Sequence, residues 1–360
     1  MSTRIGIATG GGDCPGLNAV IRAVAKAAAQ REWETLGIFG GYEGLLEPGR
    51  SVHLDYNKIS GLLLRGGTIL GTANRGRFSA KTGHGQTRGL PVELLDETKK
   101  GFEAMGLTAL VAVGGDGSLS IAQQLFEHGI PVVAVPKTID NDLESTLFTF
   151  GFDSAVACAT DALDRLHTTA ESHNRVMVLE VMGRYAGWIA LFAGVAGGAD
   201  VILIPEVPFR YESVVAKVRE RQAHGKDFTL IVVAEGAREE DGQFVTAGAQ
   251  EVHREARLGG IGAVVAAEVE KMTGQETRAC VLGHLQRGGA PTPFDRTLCS
   301  MFGAHAVELI AAGKFGTMVT WQGDRISSVK ISDAVGHLKT VRPDGSMIRT
   351  ARALGICMGD

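Results

Sequence analysis

The 360-residue sequence has no long apolar run and no excess of charge of one sign. None of its apolar stretches reaches the roughly 20 residues that a membrane-spanning helix needs. Its 36 basic and 40 acidic residues give a net charge of −4 without a charged tail, which argues against nucleic acid or an acidic membrane as a partner. Because the N-terminus passes directly into a strand pattern, we expect a cytoplasmic protein, long enough for two domains.

Cysteine is also scarce, and its five residues are scattered, odd in number and without CxxC spacing. This pattern favours reduced packing thiols over a disulfide framework or a zinc site. The pKa of a thiol can fall at a helix start, and Cys14 lies in a glycine-rich turn that leads into a predicted helix. No histidine lies near it in the sequence, so we interpret Cys14 as a packing residue and not as a nucleophile.

Glycine, in contrast, is abundant, and its 49 residues cluster where apolar runs end. Residues 107–113 and 131–135 are apolar runs that predict buried strands, and a helical pattern between them ends at His128. This order predicts a right-handed βαβ unit with a polar cluster after each strand. Ligands bind beyond the carboxyl ends of strands in open parallel sheets, so residues 114–118 and 136–142 are expected to face one crevice, the active site.

The same alternation of apolar strands and amphipathic helices covers most of the chain and predicts a doubly wound α/β fold. We expect further strands at residues 4–9, 175–181, 201–204, 228–234 and 278–282. We expect further helices at residues 17–30, 153–170, 183–195, 211–223, 258–272 and 293–312. The remaining segments are expected to be glycine-rich connections (residues 37–46 and 64–78), an exposed loop (81–88) and a terminal packing extension (from Gly323).

The first strand ends in residues 10–16, a glycine-rich turn that leads into a helix. Such a turn presents backbone N–H groups and the positive end of the helix to an anion, for which phosphate is the obvious candidate. Arg65, Arg75 and Arg77 in a later glycine-rich connection are able to reach a phosphate, although solvated arginines of a surface loop are the commoner case.

Two short motifs in the central unit carry carboxylates. Asp140 and Asp142 are two residues apart in a segment that we expect to be extended, so their side chains should point to the same side. Neighbouring like charges raise the pKa of one carboxyl group, which helps it to accept a proton from a hydroxyl. The alternative is a turn in which these side chains bond the local backbone. Asp116 is either a helix cap or a carboxylate that binds a magnesium ion bridging phosphates.

Three other predicted strands end in polar or charged residues. Arg184 follows the first of them, at the start of a predicted helix, and Glu235 follows the second. His284 and Arg287 follow the third. Each one alone is readily explained as a surface charge, but several at the same pole of a parallel sheet indicate a single site.

The ordered set of these motifs resembles the 6-phosphofructokinase family of bacterial type. The resemblance covers most of residues 3–320 and rests on residues 11–13, 15–18, 114–118, 136–142, 182–184, 235–236 and 283–289. It implies two Rossmann-like parallel-sheet domains with the active site in the cleft between them. The phosphoryl-donor domain would comprise residues 1–151 and 286–336, and the sugar-phosphate domain residues 152–285 and 337–360. The implied reaction is the glycolytic transfer of the γ-phosphate of ATP to the 1-hydroxyl of fructose 6-phosphate.

The resemblance also implies roles for individual residues. The phosphates of ATP would be bound by Gly11, Gly12, Arg75, Gly115, Asp116, Gly117, Ser118 and Lys137, with Asp116 on Mg²⁺. Asp140 would accept the proton of the sugar hydroxyl with Thr138 and Asp142 beside it, and Arg184 would stabilise the transferring phosphoryl group. The sugar phosphate would be bound by Met182, Gly183, Glu235, His284 and Arg287, and by Arg175 and Arg278 of a neighbouring subunit. We therefore expect a homodimer or homotetramer with shared active sites, whose monomer is nearly inactive.

The phosphoryl donor depends on two positions in this resemblance. Family members that use pyrophosphate typically have Asp where this chain has Gly117 and Lys where it has Lys137, whereas the common bacterial ATP users have Gly at both. We give Gly117 more weight, because an Asp there would repel the α-phosphate of ATP by an energy on the order of 4 kcal/mol. ATP is therefore the expected donor and pyrophosphate the alternative, with Lys137 as an extra phosphate contact.

Two rival functions differ in the residues that they require. Lipid and dinucleotide kinases share the GGDG turn of residues 114–117 but lack residues 140–142 and 283–289 in this arrangement. A non-catalytic sugar-phosphate sensor on the same fold would be expected to have lost Asp140 or Arg184, and both are present. Release of ADP that depends on fructose 6-phosphate separates all three functions.

Overall fold

Short, buried apolar runs form several of the strands of the protein. The computed structural model describes residues 3–46, 50–72, 76–78, 89–246 and 258–360. The strands are β1 (Arg4–Thr9), β2 (Glu34–Ile38), β3 (Ser51–His53), β4 (Ala109–Gly114), β5 (Val132–Pro136), β6 (Val176–Val181), β7 (Val201–Leu203), β8 (Thr229–Ala234), β9 (Thr277–Val281), β10 (Thr317–Trp321) and β11 (Ile326–Lys330).

The helices lie between these strands in sequence and after the last of them. They are α1 (Leu17–Ala29), α2 (Glu43–Leu46), α3 (Tyr56–Ile59), α4 (Val92–Ala104), α5 (Asp116–Glu127), α6 (Phe152–His173), α7 (Trp188–Ala196), α8 (Tyr211–Ala223), α9 (Ile261–Thr273), α10 (Pro293–Ala311), α11 (Ile331–Ala334) and α12 (Ser346–Ala353). Two 3₁₀ turns lie at Leu62–Leu64 and Gly283–Arg287. Within the described ranges, none of the helices combines the length and the apolar character that a membrane crossing requires.

The chain divides into two units. The first unit comprises Met1–Ser154 and Arg287–Leu338, and the second comprises Ala155–Gln286 and Lys339–Asp360. Each unit contains a sheet with helices, so the predicted α/β class with two parallel-sheet units is confirmed.

The sheet of the first unit has the strand order β11-β10-β5-β4-β1-β2-β3. Its inner strands are parallel, and the edge strands β3 and β11 are antiparallel to their neighbours. All six residues of β4 are buried, as expected for a parallel strand with both faces covered. β4 pairs in parallel with β5, from Leu110 opposite Val132 to Gly114 opposite Pro136, which confirms the predicted βαβ unit. The carboxyl ends of β1, β4 and β5 therefore lie side by side.

The sheet of the second unit is entirely parallel, with the strand order β7-β8-β6-β9. The carboxyl ends of β8, β6 and β9 are consequently neighbours as well. The outer edge of β7 is covered by the C-terminal segment of the chain, where the Ile202 amide donates to the carbonyl oxygen of Cys357 at 2.9 Å.

Two expectations about local structure are wrong. The helix expected from residue 183 begins only at Trp188, because Gly183 has a φ of 137°, which is outside helical geometry. Residues 37–46 are not a simple connection, since they contain the end of β2 and the whole of α2. The extension after Gly323 packs on the fold, as expected, and it contains the edge strand β11 and the helices α11 and α12. The loop expected at residues 81–88 lies outside the described residues.

A buried carboxylate holds the first turn of α10. Asp295 Oδ2 accepts hydrogen bonds from Ser154, at 2.9 Å from the amide and 2.6 Å from the hydroxyl. The side chain of Thr292 caps the same helix by accepting from the Asp295 amide at 3.2 Å. Burial raises the pKa of Asp295 from its ordinary 3.8 to about 6, although the hydrogen bonds from Ser154 oppose that rise.

This carboxyl group makes the stability of the protein dependent on pH. Because the folded state holds the Asp295 proton up to about pH 6, its contribution to stability is complete below pH 3.8 and is lost as the pH rises through about 6. The Asp295→Asn variant has no titratable group at this position. The difference in the free energy of unfolding, parent minus variant, should therefore fall by on the order of 3 kcal/mol between pH 3.5 and pH 7. Urea unfolding of both proteins at the two pH values measures this difference, and a constant difference would contradict the prediction.

Candidate active site

Three strands of the first unit end beside one cavity. The turns that follow β1, β4 and β5 start at the same edge of the sheet, because these strands are parallel neighbours. The cavity has a volume of about 340 Å³, which is in the range of small-molecule sites. Of the residues predicted from the sequence, those that line it are Gly11, Gly12, Gly115, Asp116, Gly117, Ser118, Lys137, Thr138, Asp140, Asp142 and Arg287. The crevice expected at the ends of β4 and β5 is therefore present.

The turn after β4 presents the N-terminus of α5 to the cavity. Gly115 is the N-cap residue, and the helix begins at Asp116. The turn is tight, since a β-carbon on Gly114 would collide with the side chain of Ser118. The first N–H groups of a helix have no acceptor within the helix, so this turn is suited to donate hydrogen bonds to a phosphate.

Two cations lie beside the turn that follows β1. The Arg287 guanidinium is so close to the backbone of Gly12 that a β-carbon there would collide with it. The Arg287 Nε is buried and has no hydrogen-bond partner among the residues that the structure describes. Lys137, which is 5% exposed, donates from Nζ to the carbonyl oxygen of Gly12 at 2.5 Å. The turns after β1 and β5 are thus joined by one ammonium group, and both cations bring positive charge to the cavity.

The segment after β5 is folded around a buried asparagine. The extended conformation expected for residues 140–142 is wrong, because Asn141 has a φ of 51°, in the left-handed region. Asn141 Oδ1 accepts from the Thr149 amide at 3.0 Å, and Nδ2 donates to the Leu147 carbonyl oxygen at 3.4 Å. The alternative of a turn built on side-chain bonds to the local backbone is therefore correct for Asn141.

The two aspartates on either side of Asn141 nevertheless line the same cavity. The Asp140 amide donates to the Thr138 hydroxyl oxygen at 3.1 Å. The Thr138 carbonyl oxygen in turn accepts from the Thr149 hydroxyl at 2.7 Å. These bonds fix the backbone of Asp140, which places a carboxylate at the cavity beside the glycine-rich turns that follow β1 and β4.

The carboxyl ends of β6, β8 and β9 carry the predicted residues of the second unit. These are Met182, Gly183, Arg184, Glu235 and His284. The Gly236 amide donates to the Gly183 carbonyl oxygen at 3.1 Å, and a β-carbon on Gly236 would collide with the carbonyl oxygen of Arg184. The Arg184 guanidinium carbon lies 5.8 Å from the ring centroid of Tyr185. Glycine contacts between two neighbouring strand ends therefore hold the segment that carries Arg184.

Arg175 and Arg278 lie at the other end of this sheet. Arg175 immediately precedes β6, and Arg278 is the second residue of β9, so both are near the amino ends of their strands. Arg175 Nε donates to Glu276 Oε2 at 2.7 Å, and Arg278 Nη2 donates to Glu276 Oε1 at 2.6 Å. The hydrogen bond from Arg175 lowers the pKa of the Glu276 carboxyl group, which is therefore charged. Within one copy of the chain, these arginines are not brought to the strand ends that carry Arg184.

One wall of the cavity was not predicted from the sequence. It is lined by Tyr42, Phe78 and Ile121, and by the backbone of Gly40 and Gly41. The rings of Tyr42 and Phe78 lie 5.7 Å apart, and the Tyr42 hydroxyl donates to the Ser118 carbonyl oxygen at 2.8 Å. The glycines that follow β2 were a signal for this wall, but it became useful only with the strand β2 in place beside β1.

Three other residues were considered as site candidates from the sequence: Arg75, Arg77 and Cys14. Arg75 lies outside the described residues. Arg77 is an exposed residue that makes two hydrogen bonds to Glu97, at 3.0 and 2.6 Å, and it is not among the residues that line the cavity. Cys14 is buried, with 1% exposure, which confirms its interpretation as a packing residue. Burial also raises the pKa of its thiol to about 12.

Asp116 meets the requirements for a magnesium ligand. It is 5% exposed, it lines the cavity at the start of α5, and its Oδ1 accepts from the Gly336 amide at 2.9 Å. Among the described residues, no group of three or more His, Cys, Asp or Glu side chains is arranged to hold a metal ion alone. Mg²⁺ is commonly bound by one or two carboxylates together with substrate phosphates and waters. A single carboxylate at a glycine-rich turn that is suited to bind phosphate fits that mode.

Comparison with known proteins agrees with this geometry. Residues 4–310 match the phosphofructokinase family. The chain is 53% identical over 357 residues to an ATP-dependent 6-phosphofructokinase of Chloroflexus aurantiacus, with 99% of this chain and 98% of the relative covered. It is 50% identical over 343 residues to a pyrophosphate–fructose 6-phosphate 1-phosphotransferase of Amycolatopsis methanolica, with 95% and 97% covered. The crystal structure of Pichia pastoris phosphofructokinase in the T-state matches with a TM-score of 0.80 and 30% identity, over 93% of this chain and 35% of that one.

Proposed function

The chain belongs to the phosphofructokinase family, and we propose that it is an ATP-dependent 6-phosphofructokinase. It transfers the γ-phosphate of ATP to the 1-hydroxyl of fructose 6-phosphate, which gives fructose 1,6-bisphosphate and ADP in glycolysis. The observation that carries the proposal is the convergence of the turns after β1, β4 and β5 on one cavity, where Asp116 and Asp140 lie beside backbone N–H groups and two cations.

The choice of ATP as donor is supported by two features of the cavity. Tyr42, Phe78 and Ile121 form an apolar wall, which suits a planar base but has no use in binding pyrophosphate. Gly117 leaves the first turn of α5 without a side chain at the position where the resemblance places the α-phosphate. Lys137 is the feature shared with pyrophosphate users, and here its ammonium group bonds the backbone of Gly12.

On the donor side, we assign the phosphates of ATP to the glycine turns. Gly11, Gly12, Gly115, Gly117 and Ser118 offer backbone N–H groups at the cavity, and Lys137 adds positive charge. Asp116 would hold Mg²⁺, which, when bound, neutralises charge on the phosphates. Arg75 belongs to this group by resemblance to the family.

On the acceptor side, we assign Asp140 as the base. Its carboxylate takes the proton of the sugar 1-hydroxyl while that oxygen bonds to the γ-phosphorus, and the bond from phosphorus to the bridging oxygen breaks to release ADP. Thr138 and Asp142 lie beside it. Arg184 stabilises the charge of the transferring group, because its planar guanidinium donates parallel hydrogen bonds to phosphate oxygens. The sugar phosphate is bound by Met182, Gly183, Glu235, His284 and Arg287.

We propose a homodimer or homotetramer in which Arg175 and Arg278 complete the site of a neighbouring subunit. Three observations support this arrangement. Both arginines lie at the end of the second sheet that is opposite to Arg184 in their own chain. The strand β9 is an edge strand, and Val281 at its end and Leu285 after it are 54% and 68% exposed. An edge strand presents unpaired backbone groups that are able to pair with another chain.

We also place the enzyme in the cytoplasm. All five cysteines are free, which fits a reducing compartment. Detection of the protein and its activity in a soluble cell fraction tests this location.

The function predicts a simple assay result. With ATP, Mg²⁺ and fructose 6-phosphate, the purified protein should release ADP, and omission of the sugar phosphate should abolish the release. In a parallel assay with pyrophosphate, kcat/KM should be lower than with ATP, because the apolar wall and Gly117 accommodate a nucleotide. Higher kcat/KM with pyrophosphate would assign the alternative function, a pyrophosphate-dependent phosphotransferase. If fructose 6-phosphate increases neither the release of ADP from ATP nor the consumption of pyrophosphate, both functions are excluded.

A further inference from the structure

A short segment near the C-terminus of the first unit lies against the proposed donor site. Residues 331–338, here called the strap, follow β11 and contain α11. The strap contacts the start of α5 through the bond from the Gly336 amide to Asp116 Oδ1, which is 2.9 Å long. It contacts the segment after Asp142 through an antiparallel bridge between Leu338 and Leu143. The strap therefore touches both segments that carry the carboxylates of the cavity.

The position of the strap is fixed by the core of the first unit. Ile331 and Ala334 are fully buried, in the same hydrophobic cluster as Leu119 of α5 and Leu143. The Ile331 amide donates to the carbonyl oxygen of Gly316 at 3.0 Å. Because these two side chains are packed in the core, the turn that follows them has little conformational freedom, and the Gly336 amide is held in a fixed position.

The backbone conformation at position 336 favours glycine, whereas the space around it does not require one. Its φ is 81°, in the left-handed region that favours glycine, and a β-carbon there would meet nothing within 4 Å. The acceptor of its N–H group is a carboxylate that is 5% exposed. Hydrogen bonds to a charged group are stronger than those between neutral groups, and this one acts on Asp116 at the cavity.

We propose that Gly336 is a positioning residue, whose N–H group holds the Asp116 carboxylate in the orientation in which it binds the metal ion of the metal–nucleotide complex. The inference rests on the proposed function, because that function assigns Asp116 to Mg²⁺. Outer partners that orient a metal ligand change metal affinity or activity by roughly 10- to 100-fold when they are removed. The strap thus extends the donor site to a part of the chain that contributes no side chain to the cavity lining.

The test removes the N–H group and compares ADP binding with and without metal. Gly336→Pro lacks the donor and cannot adopt the φ of 81°. Gly336→Asn keeps the donor, places its β-carbon in open space and tolerates the left-handed conformation better than other side chains do. By calorimetry, Gly336→Pro should weaken the binding of ADP with Mg²⁺ roughly tenfold and leave the binding of ADP with EDTA within about twofold. Gly336→Asn should stay within about threefold of the parent in both titrations. Equal weakening of both titrations by Gly336→Pro, or the same metal-dependent loss in Gly336→Asn, would overturn the proposal.

A second measurement covers the case in which Gly336→Pro does not fold. Hydrogen exchange at the Gly336 amide should be slow in the parent and at least about tenfold faster in Asp116→Ala, since the acceptor is then missing. An unchanged exchange rate would overturn the proposal. The parent enzyme assay separates this inference from the function itself. If the parent shows sugar-dependent ADP release and Gly336→Pro binds MgADP normally, only the positioning role fails, whereas a parent without that release overturns the function.

Discussion

Replacing Asp140 with asparagine is expected to lower kcat by about 10² to 10⁴-fold, because an amide cannot take the proton of the sugar hydroxyl. The substitution keeps the shape of the side chain. It also leaves the backbone bond from the Asp140 amide to the Thr138 hydroxyl in place, as well as the bonds of Asn141 that build the turn. The loss should therefore appear in kcat, with the affinity for fructose 6-phosphate changed by no more than a few-fold.

Steady-state kinetics with both substrates varied, together with direct titration of the sugar phosphate, measure these quantities. The matched control is Glu144→Gln, which removes a carboxylate two residues beyond Asp142 that is not among the residues lining the cavity. This control should retain parental kcat. An Asp140→Asn enzyme with near-normal kcat would show that the base is another group.

The same variant tests whether active sites are shared between subunits. Asp140→Asn subunits lack the base but keep Arg175 and Arg278, whereas Arg175→Ala/Arg278→Ala subunits keep the base. If the arginines act in the neighbouring subunit, dissociation and reassembly of an equal mixture should restore about a quarter of parental activity in a dimer, because half of the dimers contain one intact site of two. No recovery in mixed oligomers would show that the arginines do not act in the site of a neighbouring subunit, and parental activity of the Arg175→Ala/Arg278→Ala protein alone would place them outside the site.

The central βαβ unit was predictable because a strand covered on both faces is a continuous apolar run. β4 and β5 are buried along their whole length, and the helix between them has an amphipathic pattern. For α8 the predicted bounds, 211–223, are those observed. Elements of this kind are recognisable from the pattern of their own residues, so the local sequence was sufficient to predict them.

The elements that were missed depend on contacts that the local sequence does not reveal. β2 has the sequence ETLGI, and β11 has the sequence ISSVK, so neither is an apolar run or a clear alternation. Both become strands by pairing with a neighbour, β1 in one case and β10 in the other. The helix α4 was missed for a related reason, since its buried face includes Gly101, which packs against the backbone of Leu45.

The residues of the candidate site divide in the same way into those that the local sequence predicts and those that it does not. The glycine turns, Asp116 and Asp140 follow strands that were recognised, and so their convergence on one edge was predictable. Tyr42 follows β2 and was missed with it. The contact of Gly336 with Asp116 joins residues 220 positions apart through a backbone amide, which leaves no mark on the side-chain pattern.

Replacing Gly117 with aspartate is expected to have the second large effect, on the choice of phosphoryl donor. Gly117 is buried in the first turn of α5 and lines the cavity, so an aspartate there brings a carboxylate to the place assigned to the α-phosphate. At about 4 Å and an effective dielectric constant near 20, the repulsion of two unit charges is on the order of 4 kcal/mol. Because about 1.4 kcal/mol corresponds to a factor of ten, kcat/KM for ATP should fall by up to roughly 10³-fold. Use of pyrophosphate, which has no α-phosphate, should change much less.

Gly117→Asn separates charge from size in this prediction. Asparagine has nearly the volume of aspartate but no charge, so its loss of kcat/KM for ATP should be smaller than that of Gly117→Asp by at least about tenfold. The helix itself should tolerate the aspartate, since a negative charge in the first turn is favourable to the helix dipole. If both variants lose ATP use equally, the side chain excludes the nucleotide by its volume. If Gly117→Asp retains parental KM and kcat for ATP, the α-phosphate does not lie beside Gly117, and the preference for ATP has to come from the apolar wall of Tyr42 and Phe78.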